Sequence, residues 1–402
     1  MTKRKIAIVI GSRANYASIK SVISELDKNA NVELQLFVGA SAILDKYGNV
    51  SKLIEKDGFK ITEKFYMLVE GETPETMSMS TGIGIIKLSG ILMNHKPDIV
   101  ITIGDRFETM STAIATTYMN IHLAHTMGGE ITGTIDESIR HAVTKFSHIH
   151  FPANALAAER IKKLGENPEH IFLTGCPRID VVNEIITDNR NNNFDEDGFW
   201  KEYKGVGETF PLQDNGFLLV LQHPVTTEYK ENRKEMRRTL EALNELKMPT
   251  VMLWPNADAG SDEISKEIRT FRENNNPKWL HIFKNLPMNY FIRLMDCCSC
   301  MIGNSSSAIR EGPIVGVPVV NVGTRQQGRA RGNNVIDVPH NKTDILDAIK
   351  KQLEHGKYSP NKLYGDGSAG KKISDVLSTI DLSKVSIQKR LVLPGERHET
   401  KL

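Results

Sequence analysis

Cysteine is scarce: Cys176, Cys297, Cys298 and Cys300 are the only four in a chain of 402 residues. They are too few and too bunched for a disulfide framework and fit a reducing compartment, so a cytoplasmic location is expected. A charge excess is missing as well, since 51 Lys and Arg stand against 49 Asp and Glu. A net +2 gives no field to gather a polyanion, so no nucleic-acid partner is expected. No apolar run reaches the ~18 residues of a membrane span. The basic start MTKRK precedes only IAIVIG, too short for a signal-peptide core, and no membrane partner is expected. Repeats and low-complexity segments are absent, as are a Walker A loop and a G-x-G-x-x-G after the first strand. GIGIIK (82–87) lies mid-segment, which argues against a dinucleotide site.

What is present is ordinary globular composition: 40% hydrophobic, 25% charged, 30 Gly and 16 Pro. At roughly 150 residues per domain the length implies about two or three domains. Short β-branched runs recur at IAIVIGSR (6–13), DIVITIGDR (98–106), HIHFPAN (148–154), FLLVLQHP (217–224), TVMLWPNAD (250–258), CMIGNSSS (300–307) and VPVVNVG (317–323). Such runs, apolar on both faces, predict parallel strands. Helical patterns at 16–26, 108–119, 155–164, 233–247 and 342–353 separate them, which predicts βαβ units and doubly wound sheets. The alternation fails around 186–215, where the chain is polar and turn-rich. The expected organisation is an N-terminal Rossmann-like domain over 1–180, a junction or insertion at 181–214, a second Rossmann-like domain over 215–370, and a segment 371–402 that packs back.

In open α/β sheets ligands lie beyond the carboxyl ends of the strands, so the residues ending each run are the site candidates. They are polar: Ser12-Arg13, Asp105-Arg106, His223, Asn256 with Asp258, and Asn304-Ser305-Ser306. Gly303-Asn304-Ser305-Ser306-Ser307 before a helix suits a phosphate at free N–H groups, or an ordinary serine cap. Glu311 falls near the end of that helix, placed for ribose hydroxyls or for solvent. Arg325, Arg329 and Arg331 share a Gly-punctuated loop that suits phosphate clamping or simple solvation. Glu130, Asp136 and Glu137, followed by Arg140, His141 and Lys145 at helical spacing, combine with Asp105 as candidates for proton chemistry, although acids at a helix start also pair with its dipole. Cys297-x-x-Cys300 has no second pair and reads as a buried strand end. The spacing of His141, His148 and His150 matches no common zinc site.

Taken in order, GSRANY, YGN (47–49), GDRFE, GGEITGTIDESIRHAVTKFSH, TGCPR (174–178), QHPVTT, PNADAGS, IGNSSSAIRE and NVGTRQQGR resemble the hydrolysing UDP-N-acetylglucosamine 2-epimerases. The likeness is strongest to the epimerase half of the bifunctional epimerase/N-acetylmannosamine kinase, with bacterial sialic-acid-pathway enzymes nearby, and runs from about residue 5 to 385. The resemblance implies an α/β protein of two Rossmann-like domains, glycosyltransferase-B-like, with a nucleotide-sugar cleft between them and neither metal nor nicotinamide as cofactor. It implies that Arg13, Arg106, His223, Asn256, Leu286 through its backbone, Ser305, Ser306, Glu311 and Arg325 hold UDP. Asp105 and Asp136, with Glu130 and Glu137 beside them, are the implied catalytic acids, and a homodimer or homotetramer the implied assembly. The implied reaction is anti elimination of UDP to a 2-acetamidoglucal, then water addition giving N-acetylmannosamine. UDP-N,N′-diacetylbacillosamine as substrate, a nonhydrolysing epimerase, a glycosyltransferase of the same fold and a nucleotide-sugar-binding regulator are the competing readings. Two positions depart from the relatives: Met127 stands where several carry an acid, and Asn15 where many carry Asp or Glu.

Overall fold

The computed structural model describes residues 3–70, 73–132, 135–191, 194–212, 215–225, 231–255 and 261–392. Up to Val181, and again from Gly365, the chain builds one compact unit; Val182–Tyr364 builds the body of another.

The first unit contains β1 (Arg4–Ile10), β2 (Val32–Gly39), β3 (Glu63–Phe65), β4 (Ile99–Ile103), β5 (His122–Thr126) and β6 (Ile149–Phe151). All pair in parallel, in the order β3-β2-β1-β4-β5-β6. Its helices are α1 (Arg13–Ala17), α2 (Lys20–Asp27), α3 (Val50–Lys56), α4 (Pro74–His95), α5 (Phe107–Tyr118), α6 (Asp136–Phe146), α7 (Ala155–Lys163) and α8 (Pro177–Asn191), the last of which runs on into the second unit. Every residue of β4 is buried, as its β-branched composition requires. The helix expected over 16–26 is instead broken at Ser18-Ile19, where Ile19 leaves helical geometry at φ −132° and ψ −6°.

The second unit repeats the plan. Its strands are β7 (Leu218–Leu221), β8 (Thr250–Leu253), β9 (Leu280–Phe283), β10 (Cys300–Gly303), β11 (Val319–Val322) and β12 (Val335–Val338), parallel in the order β12-β11-β10-β7-β8-β9. Around them lie α9 (Glu196–Glu202), α10 (Asn232–Leu246), α11 (Ser261–Asn275), α12 (Met288–Cys297), α13 (Ser306–Arg310), α14 (Gly312–Val315) and α15 (Lys342–His355). The polar stretch after α8 carries α9, whose buried Phe199 packs on Phe283 and Tyr290, and Val206 bridges Ile282. Each sheet therefore has the doubly wound order, and the direction in which successive strands are added reverses between two central parallel strands: β1 and β4 in one, β7 and β10 in the other. The crevice outside those strand ends is where this topology places a ligand.

The chain returns to the first unit with α16 (Ala369–Thr379), whose first amides, Ala369 N–H and Gly370 N–H, donate to buried Asp180 at 3.0 and 2.6 Å. The segment beyond it is tied down by histidine rings. His122 Nε2 lies 2.7 Å from the Val385 carbonyl, and His148 Nε2 lies 3.1 Å from that of Ile387. Lys389 then caps α6, donating to the carbonyls of Lys145 and Ser147 while pairing with buried Glu166.

Candidate active site

At the reversal point of the first sheet, the turn after β1 presents Arg13 to solvent while Ser12 caps α1 by accepting from Asn15 N–H. Asn15 is buried beneath this turn. Its Oδ1 accepts from Gly11 N–H at 3.1 Å and its Nδ2 donates to the Ile103 carbonyl at 3.4 Å, tying the ends of β1 and β4. Both ends of its amide are therefore spent on backbone. An Asp or Glu could not supply the donor half of that tie.

Asp105 and Arg106 follow β4 through Gly104, which sits at φ +75°, a region that favours glycine. Arg140, 1% exposed on α6, donates through Nη2 to Asp105 Oδ2 and through Nη1 to the Glu130 carbonyl at 2.7 Å. One buried guanidinium thus ties the Asp105 carboxylate to the backbone at Glu130. His125, fully buried on β5, lies 2.8 Å from the Gly104 carbonyl through Nε2, and burial pulls its imidazole down to about 3. It supports the Asp105 turn as a neutral ring. Glu130 is buried after β5, and Asp136 and Glu137 are half-buried in the first turn of α6, Glu137 lying 3.6 Å from His141.

Arg106 begins α5 with its guanidinium half exposed and its Nε 3.2 Å from Glu108 Oε1. Glu108 is buried and its carboxyl is pushed up by burial, against the opposing pull of Arg106. Met127 is buried at φ +62°, its sulfur 3.8 Å from the Cys176 thiol, so this side chain fills apolar volume. An acid built on that backbone would have to share a sulfur-lined space.

At the reversal point of the second sheet, His223 follows β7 and Asn304 follows β10. Asn304 Oδ1 accepts from His223 N–H at 2.7 Å and its Nδ2 donates to the His223 carbonyl at 2.8 Å. An asparagine amide therefore ties the two central strand ends in both units. Burial, with Arg325 nearby, pulls the His223 imidazole down to about 3, so the ring is neutral. Arg325 Nη1 and Gln326 Nε2 both donate to the Asn304 carbonyl, at 3.2 and 2.9 Å.

Ser305 is the N-cap of α13 and accepts from Ser307 N–H, and Ser306 opens the helix. The helix is a single turn. Buried Glu311 is its C-cap, near the helix end as the sequence suggested, and Pro313, which has no N–H for a further bond of α13, lies in the following α14. Leu286 is buried in the connection from β9 to α12. Asn256 and Asp258 lie outside the described residues. Of the three loop arginines, Arg331 is committed elsewhere, its Nε donating to Asp337 and its Nη groups to the Gln326 carbonyl.

The histidines and cysteines have structural surroundings. His148 accepts Leu123 N–H at Nδ1 while Nε2 meets the Ile387 carbonyl, and His150 Nε2 lies 3.1 Å from Glu166. Burial raises the thiols of Cys298 and Cys300. Among the described residues no three His, Cys, Asp or Glu side chains gather as a metal site.

Residues 24–378 match the family model described as UDP-N-acetylglucosamine 2-epimerase. The chain belongs to this family. It is 29% identical over 392 residues to the UDP-N-acetylglucosamine 2-epimerase of Neisseria meningitidis serogroup B, covering 97% of this chain and 99% of that one. It is 32% identical over 364 residues, 90% of each chain, to the GDP/UDP-N,N′-diacetylbacillosamine 2-epimerase (hydrolyzing) of Campylobacter jejuni. Among solved structures, the N. meningitidis UDP-GlcNAc 2-epimerase bound to UDP-GlcNAc superposes with a TM-score of 0.77 at 16% identity, covering 93% of this chain and 99% of that one. The architecture is the two-unit, glycosyltransferase-B-like α/β fold expected from the sequence.

Sequence reasoning left His125 and Glu108 out of the site, and named Asn304 and Arg140 only as members of their motifs, without the hydrogen bonds they make. Arg140, Asn304 and Glu108 lie inside motifs singled out, GGEITGTIDESIRHAVTKFSH, IGNSSSAIRE and GDRFE, and His125 lies on β5 just before the first of them. The available signal was polarity within apolar surroundings, which sequence spacing does not separate from a surface charge.

Proposed function

We propose that this epimerase is hydrolysing and acts on UDP-N-acetylglucosamine, giving UDP and N-acetylmannosamine in the cytoplasm for sialic-acid-type sugar synthesis. The observation that carries the reading is the buried Arg140, which binds the Asp105 carboxylate and the Glu130 backbone at once. A carboxylate held in this way is positioned for one of the two proton movements the reaction requires. One group takes the C2 proton as the C1–O bond breaks and UDP leaves with the bonding electrons, giving the 2-acetamidoglucal. Water then adds its hydroxyl to C1, and a proton returns to C2 on the opposite face. Asp105 and Asp136 are assigned these transfers, with Glu130 and Glu137 beside them. Arg13 and Arg106 from the first unit, and His223, Asn256, the Leu286 backbone, Ser305, Ser306, Glu311 and Arg325 from the second, are assigned to UDP. The exposed or half-exposed guanidiniums of Arg13, Arg106 and Arg325 suit the diphosphate.

A second reading takes UDP-N,N′-diacetylbacillosamine as substrate, favoured by the 32% identity to the Campylobacter relative. Incubating the protein with each nucleotide sugar and following products by proton NMR separates the readings. Free N-acetylmannosamine with equimolar UDP is the expected result. UDP-N-acetylmannosamine would mark a nonhydrolysing enzyme, and turnover of the bacillosamine sugar alone would transfer the assignment to the second substrate.

A further inference from the structure

The last turn of α6 is held by a side chain from the far end of the chain. Lys389 Nζ donates to the carbonyls of Thr144, Lys145 and Ser147, at 3.3 and 2.7 Å for the first two, and lies 2.5 Å from Glu166 Oε2. Carbonyls at a helix end lack their full set of intrahelical partners, and a cation there also meets the negative end of the helix dipole. Burial pulls the ammonium down to about 8, against the opposing pull of Glu166, so the cap is charged at neutral pH. Glu166 is itself buried and shares its carboxylate with Lys145 and His150.

Nothing comparable holds the other end of the helix. Ile135, at the N-cap position, makes no side-chain capping bond. With only 11 residues, and Val143 as its fully buried apolar anchor, α6 is too short to be stable by itself. Yet this helix opens with Asp136 and Glu137 and carries Arg140. The segment that supplies Lys389 is fixed in register. His148 Nδ1 accepts from Leu123 N–H, so Nε2 bears the ring proton and donates to the Ile387 carbonyl. Val392 N–H donates to the Gly165 carbonyl at 3.0 Å.

Two short routes run from the cap to the candidate acids. Thr144, whose carbonyl Lys389 binds, sits one turn after Arg140, and its hydroxyl lies 3.0 Å from the Arg140 carbonyl and 3.3 Å from His125 Nδ1. A Cβ at Gly128 would strike both His125 and Thr144, so that glycine lets ring and hydroxyl meet. Arg140 in turn holds the Asp105 carboxylate, and His125 Nε2 holds the Gly104 carbonyl just before it. Both routes end on the turn that presents Asp105.

We infer that Lys389 is a positioning residue of this epimerase: by capping α6, the C-terminal segment 385–392 fixes Arg140 and His125, and through them the Asp105 carboxylate. The inference rests on the assignment of Asp105 to proton transfer. Lys389 acts through α6, so its loss should displace the acid while leaving the groups assigned to UDP in place.

The test is a split between turnover and binding in the full chain, for wild type, Lys389→Met, Asp105→Asn and Lys384→Met. Turnover is measured well below the melting temperature, per UDP site counted by calorimetry, on whichever of UDP-N-acetylglucosamine and UDP-N,N′-diacetylbacillosamine wild type turns over. Lys389→Met should lower kcat by at least about 10-fold while the UDP dissociation constant stays within about 2-fold, the pattern of a displaced reacting group. Lys384, whose side chain is 81% exposed just before the segment, should be replaced without effect. Lys389→Gln keeps hydrogen-bond donors without the charge and should show the same split in smaller degree, which answers the question where Lys389→Met does not fold. Wild-type kcat in both Lys389 variants, beside an inactive Asp105→Asn, would overturn the proposal and leave the assignment of Asp105 standing. So would equal losses of kcat and UDP affinity, which would make Lys389 a support of the fold at large. Full turnover by Asp105→Asn would overturn that assignment, and the proposal with it.

Discussion

Arg140 is the residue on which the candidate acids depend. Its guanidinium is buried against Asp105, and a buried charge that loses its partner is left uncompensated. Arg140→Met should therefore cost about 3–5 kcal/mol of stability as well as most of the activity, measured by urea unfolding and turnover. Asp105→Asn and Asp136→Asn keep volume and remove the titrating group; the first also leaves the buried Arg140 charge without its carboxylate, so urea unfolding accompanies its turnover. Each should lower kcat by about 100-fold or more while UDP affinity changes little. His223→Ala provides the contrast on the binding side. Because burial holds this imidazole neutral, its loss should weaken UDP binding by about 1 kcal/mol, the scale of a neutral hydrogen bond, with no pH dependence between 6 and 8 by calorimetry. Met127→Glu would place a carboxylate beside the Cys176 sulfur and should lower stability without raising turnover. Asp105 was legible in the sequence because it ends an apolar run, and Glu130, Asp136 and Glu137 because they cluster ahead of a helical pattern. Arg140 was not, since in an α6 pattern of mixed charges nothing distinguishes the residue that turns inward.

At the scale of elements, the same device recurs at both sheet reversals: an asparagine amide closes the gap between two central strand ends. Asn15 does so between β1 and β4, and Asn304 between β7 and β10. Both hold the turns that carry the candidate site residues. Asn304→Asp keeps the acceptor and loses the donor to the His223 carbonyl. It should destabilise by about 1–3 kcal/mol and weaken UDP binding, read by thermal shift with and without UDP. The central strands were readable because burial on both faces leaves a continuous apolar run, as in β1, β4, β7, β10 and β11. β2 was hidden by Glu33 and Gln35, which interrupt the run at its less buried end, and edge strand β12 by its half-exposed pattern. β3 is three residues long, too short for any period to register. The break between α1 and α2 was invisible for another reason, because apolar spacing continues through Ile19 while the backbone does not.

For the whole molecule, neutral buried histidines set the response to acid. His125 and His223 are held down at about 3 and His148 at about 4, against an ordinary value near 6.5. Between those values and 6.5 the unfolded chain binds protons that the folded chain refuses, so stability falls as pH drops through this window. The melting temperature should decline steadily from pH 6.5 to 4, and His148→Asn should flatten part of that decline. The central claim, however, is chemical: a proton at C2 is exchanged with solvent by acids gathered at the end of the first sheet. Turnover of UDP-N-acetylglucosamine in deuterium oxide tests it directly. Wild type should give N-acetylmannosamine carrying one deuterium at C2, and Asp105→Asn should lose that incorporation together with UDP release. Product that keeps its original C2 proton, or wild-type deuteration by Asp105→Asn, would contradict the account.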